Sequence, residues 1–251
     1  MELTPEQKRV FVEQGYVHIP NVVTKKKVNA ALRAINHSLG EGVDAADMQT
    51  FRAQSYCPEL RRDPVITNLY NESHATTLAE SLIGAGKIKS INGGQIALRF
   101  PGMQETPAQP GPHLDGMYSP TNGVPKGKIN SFTMLLGIML SDVSEDFAGN
   151  LAVWPGTHRI YEQYFREHGP ESLLNGMPLI ELPQPVQLTG KAGDVVLCHY
   201  QLAHGVAQNI SPHVRYAIYF RLHHVDHDAR WKEAMKDIWL EWDGVRDLAT
   251  N

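Results

Sequence analysis

The 251-residue sequence has only two cysteines, Cys57 and Cys198, far apart and outside any CxxC spacing. That excludes a disulfide framework and a cysteine-ligated zinc site, and leaves both as small apolar residues. Basic charge is scarce too: 23 Lys and Arg against 27 Asp and Glu give a net charge of −4. A phosphate-backbone binder needs the opposite balance, so no nucleic acid partner is expected. Long apolar runs are missing. The longest, FTMLLGIML at 132–140, is too short to cross a bilayer and reads as a buried strand, so no membrane association is expected. The opening MELTPEQKRV carries charges where a secretory signal needs an apolar stretch, and the closing RDLATN carries no peroxisomal tripeptide. A cytoplasmic location is the expectation. What the chain has in excess is histidine, 12 residues, several of them beside carboxylates.

At 42% apolar and 20% charged residues the composition is that of an ordinary globular protein. No repeat, low-complexity tract or linker divides it, which predicts one domain over 1–251. In LTPEQKRVFVEQG, Thr4 stands as N-cap, Pro5 at the first helical position and Gln7 three after the cap, a capping box for a helix ending at Gly15. YVHIP alternates like a strand, and Val28, Ala31, Leu32 and Ile35 predict a helix over 25–38 behind Thr24. Residues 40–62 read as loop, and 64–83 as one or two helices ending at Gly84. From residue 87 the character changes to short apolar runs broken by Gly, Pro and Asn, among them QIALRF, TMLLGIML, NLAVWPG, PVQLTG, DVVLCHY, HGVAQN and VRYAIYFRL. Such runs imply a sandwich or barrel. Trp231, Ala234, Met235, Ile238, Trp239 and Trp242 share one face of a predicted helix over 228–243. That face packs on its own sheet or serves a dimer contact, so monomer and homodimer both stay open.

The stretch GPHLDG holds the most informative pair. On a strand, residues i and i+2 project from one face about 6.6 Å apart, so His113 and Asp115 can converge on one ion. A second histidine would complete a 2-His-1-carboxylate triad, which holds Fe(II) and leaves three positions open. His204, after the apolar strand DVVLCHY, is the leading candidate for that ligand, with His199 as competitor. The histidine-rich HHVDHD, 223–228, precedes a helix outside the strand run and reads as a solvated connection or cap. His158, in PGTHR, sits in a predicted turn, where a cap or surface role is expected ahead of ligation.

Taken together these stretches resemble the phytanoyl-CoA dioxygenase family of Fe(II)/2-oxoglutarate oxygenases. The matching parts are LTPEQKRVFVEQGYVHIPNVVTKKKV, PHLDG, GNLAVWPGTHR, GDVVLCHYQLAHG and VRYAIYFRL, in the family's order over nearly the whole chain. The resemblance implies a mainly β fold with flanking helices around a double-stranded β-helix (jelly-roll, cupin-like) core. In that scheme 1–86 is a mostly helical lead-in, 87–223 the jelly roll and 228–243 a C-terminal helix. His113, Asp115 and His204 would hold Fe(II). Arg215, where the family places the arginine that grips the co-substrate, would bind the distal carboxylate of 2-oxoglutarate with its planar fork.

By the same resemblance Gln95 and Asn209 would help hold 2-oxoglutarate, though a turn-forming role suits Asn209 equally. Met134 and Leu136 would supply apolar walls to the co-substrate site, or plain core. The implied reaction uses O2 and 2-oxoglutarate to oxidise a C–H bond of a small-molecule substrate, releasing succinate and CO2. Substrate contacts are expected from the lead-in helices, from 40–62, from MYSPTNGVPKGK and from 168–179, with Tyr118 and Trp154 as wall residues. Val206 stands where many members carry a serine, and Ala217 where other branches use a hydroxyl, which leaves co-substrate affinity in question. Related halogenases replace the carboxylate with Ala or Gly, so Asp115 implies hydroxylation instead. No dense basic patch is visible in sequence to favour an acyl-CoA, and KKK at 25–27 reads as a solvated face. Two other readings stand beside this one: a jelly-roll metal-binding protein without turnover, and a zinc hydrolase, in which Arg215 has no role.

Overall fold

Thr4 opens the first helix, α1 (Pro5–Gln14), through the capping box predicted from LTPEQ. Its hydroxyl accepts from the Gln7 amide at 3.2 Å, and the Gln7 side chain accepts from the Thr4 amide at 2.9 Å. The structure, a computed structural model, describes residues 1–249; Thr250 and Asn251, which complete the C-terminal tripeptide considered above, lie outside the described residues. After β1 (Tyr16–Ile19), Thr24 caps α2 (Lys25–Gly40), which runs slightly past its predicted end. The 40–62 stretch is not plain loop: α3 (Met48–Ala53) lies between 3-10 turns at Ala45–Asp47 and Pro58–Arg62. Elements this short complete too few turns to leave a period in the sequence. The 64–83 stretch divides into α4 (Pro64–Asn71) and α5 (His74–Ile83), with Ser73 capping the second.

The remaining strands are β2 (Gln95–Arg99), β3 (Met134–Met139), β4 (Leu151–Val153), β5 (Val186–Gln187), β6 (Val195–His199), β7 (His204–Val206) and β8 (Arg215–Leu222). They form a five-stranded sheet in the order β1-β6-β3-β8-β2 and a three-stranded sheet in the order β5-β4-β7, antiparallel throughout. Alternation along each strand sorts the side chains into two cores. Met134, Leu136, Ile138, Leu197, Ile218 and Phe220 face the helical lead-in, where Ile35, Ile66, Leu78 and Leu82 cover them. Leu135, Met139, Val196 and Cys198 face the smaller sheet and pack with Leu151, Val153 and Leu188. Two stacked antiparallel sheets with helices on the outer face are the jelly roll the resemblance implies.

This sorting corrects one expectation directly. Met134 and Leu136 are on the helix-facing side and fully buried there, so they wall no co-substrate site. The edge strand β2 is itself covered. Gly94 donates to the Arg61 carbonyl at 2.9 Å, Tyr56 to the Ile96 carbonyl at 2.9 Å, and Ile96 to the Ser55 hydroxyl at 3.0 Å. The lead-in therefore closes the sheet edge and brings 52–61 against it.

Three further departures follow chain order. PGTHR is no surface turn: it begins α6 (Thr157–His168), and His158 is fully buried with its Nε2 donating to the Val12 carbonyl at 3.1 Å. The 168–179 loop contains a 3-10 turn at Pro170–Asn175. The predicted 228–243 helix breaks into α7 (His227–Ala234), kinked at Arg230, a run of turns, and α8 (Arg246–Ala249). Met235, Ile238, Trp239 and Trp242 are still buried, but in the chain's own core, so they offer no dimer surface. HHVDHD is solvated only in part: Val225, Asp226 and Asp228 are exposed, and Asp226 stands at the N-cap position of α7. His224 and His227 are buried, and His227 binds the buried carboxylate of Glu241 at 2.8 Å and the Ser131 hydroxyl at 3.0 Å. These two histidines belong to a buried polar network around Glu241. Among the described residues no helix is long and apolar enough to cross a membrane.

Candidate metal centre and its cavity

His113 does not lie in a strand. It forms an isolated antiparallel bridge to His204, with reciprocal amide-to-carbonyl bonds of 2.8 and 3.1 Å, and so extends the small sheet beyond β7 by one residue. The chain then turns at Asp115 and Gly116. Gly116 has φ +87, and a Cβ there would stand 2.6 Å from the Asn130 carbonyl, so only glycine fits behind the aspartate. This turn, not strand pleating, swings Asp115 back towards both histidines. On the opposing strand, Gly205 lets β7 approach, because a Cβ there would collide with the Gly111 carbonyl.

The result is a convergent donor set. Asp115 Oδ1 lies 3.5 Å from His113 Nε2 and 3.8 Å from His204 Nε2, and the three ligand atoms fall within 4.8 Å of one another, close enough to hold one metal ion. His204 Nδ1 donates to the Leu202 carbonyl at 3.0 Å, which fixes its tautomer and leaves Nε2 as a lone-pair donor. The competitor His199 is committed elsewhere: its Nε2 donates to the Ile238 carbonyl at 2.9 Å and its Nδ1 accepts from the Gln201 amide at 3.0 Å. Burial pushes its ring down to about 4, consistent with a neutral packed imidazole.

Arg221 completes the arrangement. Its Nε and Nη2 grip Asp115 Oδ2 at 3.0 and 2.8 Å, while its Nη1 donates to Gln95 Oε1 at 2.9 Å. Burial disfavours the charged carboxyl, but Arg221 and the two histidines outweigh it and hold Asp115 well below the usual carboxylate range. One oxygen is thus clamped by the guanidinium and the other presented to the ion. The Tyr200 hydroxyl adds a bond to the Asp115 carbonyl at 3.2 Å. Replacing Arg221 with Gln is expected to lower divalent-metal affinity about 10- to 100-fold, the usual cost of losing a group that orients a ligand. Calorimetric titration with Co(II) checks this; unchanged affinity would show that the clamp orients nothing.

The triad opens into a cavity of about 660 Å³, within the range of small-molecule sites. Gln95 lines it, although its amide is engaged by Arg221 and, at 3.4 Å, by the Ala53 carbonyl. Tyr118 stands at the mouth, 47% exposed. Trp154 is not a wall residue, because it is buried behind β7 in the inner core. Asn209 is also spent: its amide donates to the Arg99 and His213 carbonyls at 2.8 and 2.7 Å, and its oxygen accepts from Ser211. It builds the turn before β8 and has no capacity left for a ligand.

Arg215 is buried at the inner end of β8, beside a small second pocket. Leu151 and Tyr219 line both this pocket and the main cavity, so the two adjoin there. Its Nε donates to the Gly149 carbonyl at 2.6 Å and Nη1 to the Ala97 carbonyl at 3.0 Å, while Nη2 has no partner. A buried guanidinium edge without an acceptor is costly and fits a carboxylate. Arg99 sits directly opposite on β2, and its Nε is also buried without a partner. Burial and the neighbouring Arg215 charge push Arg99 down to about 10. Sequence reading passed over both Arg99 and Arg221. The signal was present: Arg99 lies at even spacing from Gln95, and Arg221 from Arg215, which puts each pair on one strand face.

None of the curated proteins matches the sequence. Solved structures do match the fold. The carbocyclase SnoK of nogalamycin biosynthesis, described as non-heme and alpha-ketoglutarate dependent, is 22% identical, with a TM-score of 0.54 over 91% of each chain. HygX from Streptomyces hygroscopicus, with nickel and 2-oxoglutarate bound, is 17% identical, with a TM-score of 0.59 over 90% of this chain and 88% of that one. EctD from S. alaskensis is 21% identical, with a TM-score of 0.58 over 89% of this chain and 78% of that one. The family model of phytanoyl-CoA dioxygenase (PhyH) matches residues 11–217, most of the chain. The chain belongs to the phytanoyl-CoA dioxygenase family.

Proposed function

We propose that this chain, acting as one catalytic domain, is an Fe(II)- and 2-oxoglutarate-dependent dioxygenase that hydroxylates a C–H bond of a small molecule. The observation that carries the reading is the convergence of His113, Asp115 and His204 at the floor of a cavity. Two imidazoles and one carboxylate suit Fe(II) and leave positions open for co-substrate and O2. Bound iron would supply the oxidative chemistry, in which 2-oxoglutarate yields succinate and CO2. The partnerless Nη2 of Arg215 supports a role in holding the distal carboxylate of 2-oxoglutarate. A metal protein without turnover, or a zinc hydrolase, leaves that buried cation unexplained. The retained Asp115 favours hydroxylation over halogenation.

The protein's own contribution is positional. Arg221 holds Asp115 in one orientation, the Leu202 carbonyl holds the tautomer of His204, and Leu135, Leu151 and Val206 present apolar surface that limits water near the ligands. Val206 offers no hydroxyl to the co-substrate. Arg99, across from Arg215, can replace that donor.

Anaerobic addition of Fe(II) and 2-oxoglutarate to the protein is expected to give a weak visible charge-transfer band. Arg215→Gln should keep the iron but raise the 2-oxoglutarate concentration for half-saturation of the band by about 30- to 100-fold, the loss of roughly 2–3 kcal/mol from a charge-assisted pair. A folded, iron-loaded protein that gives no band would overturn the proposal.

A further inference from the structure

The main cavity is far more basic than the chain. Arg52, Arg61, Arg99 and Arg221 all line it, drawn from four separate places in a sequence of net charge −4. The single carboxylate among the lining residues, Asp115, is clamped by Arg221 and faces the two histidines. Arg52, Arg61 and Arg99 form no ion pair among the described residues. Arg99 is mostly buried, with an unpartnered Nε and a pKa depressed by burial.

The two outer arginines are held to one rim. Arg61 sits where its own carbonyl accepts from Gly94, and Arg52 precedes Ala53, whose carbonyl accepts from the Gln95 side chain. Both backbones are thereby fixed to the start of β2. Gln54 extends the same rim across the cavity mouth, its amide donating to the Thr121 carbonyl at 2.9 Å in the segment that carries Tyr118. Exposed arginine forks whose backbones are fixed to one rim of a half-open cavity are a site for an oxyanion.

Resting on the dioxygenase reading, we infer that the primary substrate is a small anion, whose carboxylate or phosphate group is held by Arg52 and Arg61 while its remainder reaches towards the triad. Arg99 and Arg215 are left to the co-substrate, and Arg221 to Asp115, so the rim pair is the part of the positive charge without another task. Arg52 and Arg61 are exposed, so an uncharged substrate would leave both to solvent and gain nothing from them, whereas an anion takes both forks as partners. Apolar lining from Leu135, Leu151 and Val206 suits the carbon skeleton that the reaction attacks.

The test uses the full chain loaded anaerobically with Fe(II) and saturating 2-oxoglutarate, and titrates it calorimetrically with 3-phenylpropionate, phenyl phosphate and the neutral 3-phenylpropionamide. At least one anion is expected to bind 10-fold or more tightly than the amide, with the better of the two distinguishing carboxylate from phosphate. The double variant Arg52→Glu/Arg61→Glu should lose that preference, and Arg52→Gln/Arg61→Gln should reduce it, with melting temperatures checking that both fold. Equal binding of amide and anions, no binding by either anion, or a preference that survives charge reversal would overturn the inference. Failure of the underlying reading looks different, because the visible band with Fe(II) and 2-oxoglutarate then never forms.

Discussion

Asp115→Ala is expected to abolish the Fe(II)/2-oxoglutarate band and to cut succinate formation by roughly a thousand-fold or more, about 4 kcal/mol of transition-state stabilisation. The carboxylate is the only anionic donor in the triad, and its two oxygens have separate tasks, one towards the ion and one held by Arg221. Two neutral imidazoles alone bind a hard divalent ion weakly and leave its charge uncompensated. The fold should survive. Arg221 is 38% exposed on its side chain and can be solvated when its partner goes, so stability should fall by only about 1 kcal/mol. Asp115→Asn separates charge from shape: it keeps the side-chain volume and is expected to lose nearly as much activity. Measuring the band, succinate and melting temperature on both variants checks the claim. An Asp115→Ala protein that still shows the band would mean the triad is not the iron site.

The line between what the sequence disclosed and what it concealed follows the reach of each interaction. Local chemistry was legible. The capping box at Thr4 and Gln7 involves residues three apart, and the alternation in VRYAIYFRL sorts itself without knowledge of the neighbouring strand. His113, Asp115 and His204 could be selected because an HxD pair requires one further imidazole and few histidines follow an apolar strand. The geometry behind the pair was not legible, since His113 bridges His204 only once β7 is in place and Asp115 returns through the turn at Gly116. Histidine burial was also hidden. His158, His224 and His227 sit among polar and charged neighbours in sequence, yet each is buried by elements far away along the chain. The basic cavity is the clearest case, because Arg52 and Arg61 meet Arg99 and Arg221 only after the lead-in covers the edge of β2. A chain that looks devoid of basic patches when read linearly can assemble one by topology alone.

That dependence on distant packing makes Trp242→Ala the substitution with the largest expected effect on stability. Trp242 is 2% exposed, stacked on His199 at 5.0 Å between ring centroids and against Phe11 at 5.0 Å. It therefore ties the irregular segment after α7 to both α1 and the end of β6. Truncating a buried aromatic removes its apolar burial and leaves a cavity, at a cost of about 3–5 kcal/mol. For a chain of this size that corresponds to a fall in melting temperature on the order of 10 °C. Trp231 serves as the internal contrast. It is only partly buried and carries Lys232 over its ring at 5.6 Å, so Trp231→Ala should cost about 1 kcal/mol. The damage at Trp242 should also reach the metal site. His199 begins the turn through Gln201 and Leu202 that ends at His204, and the Leu202 carbonyl fixes the His204 ring. Without Trp242, His199 keeps its bond to the Ile238 carbonyl only on a loosened segment, so metal affinity should weaken along with the fold. Thermal unfolding of the two tryptophan variants, with Co(II) titration well below the melting point, checks both effects. Equal melting temperatures for the two variants would show that the C-terminal segment lies on the core without holding it together.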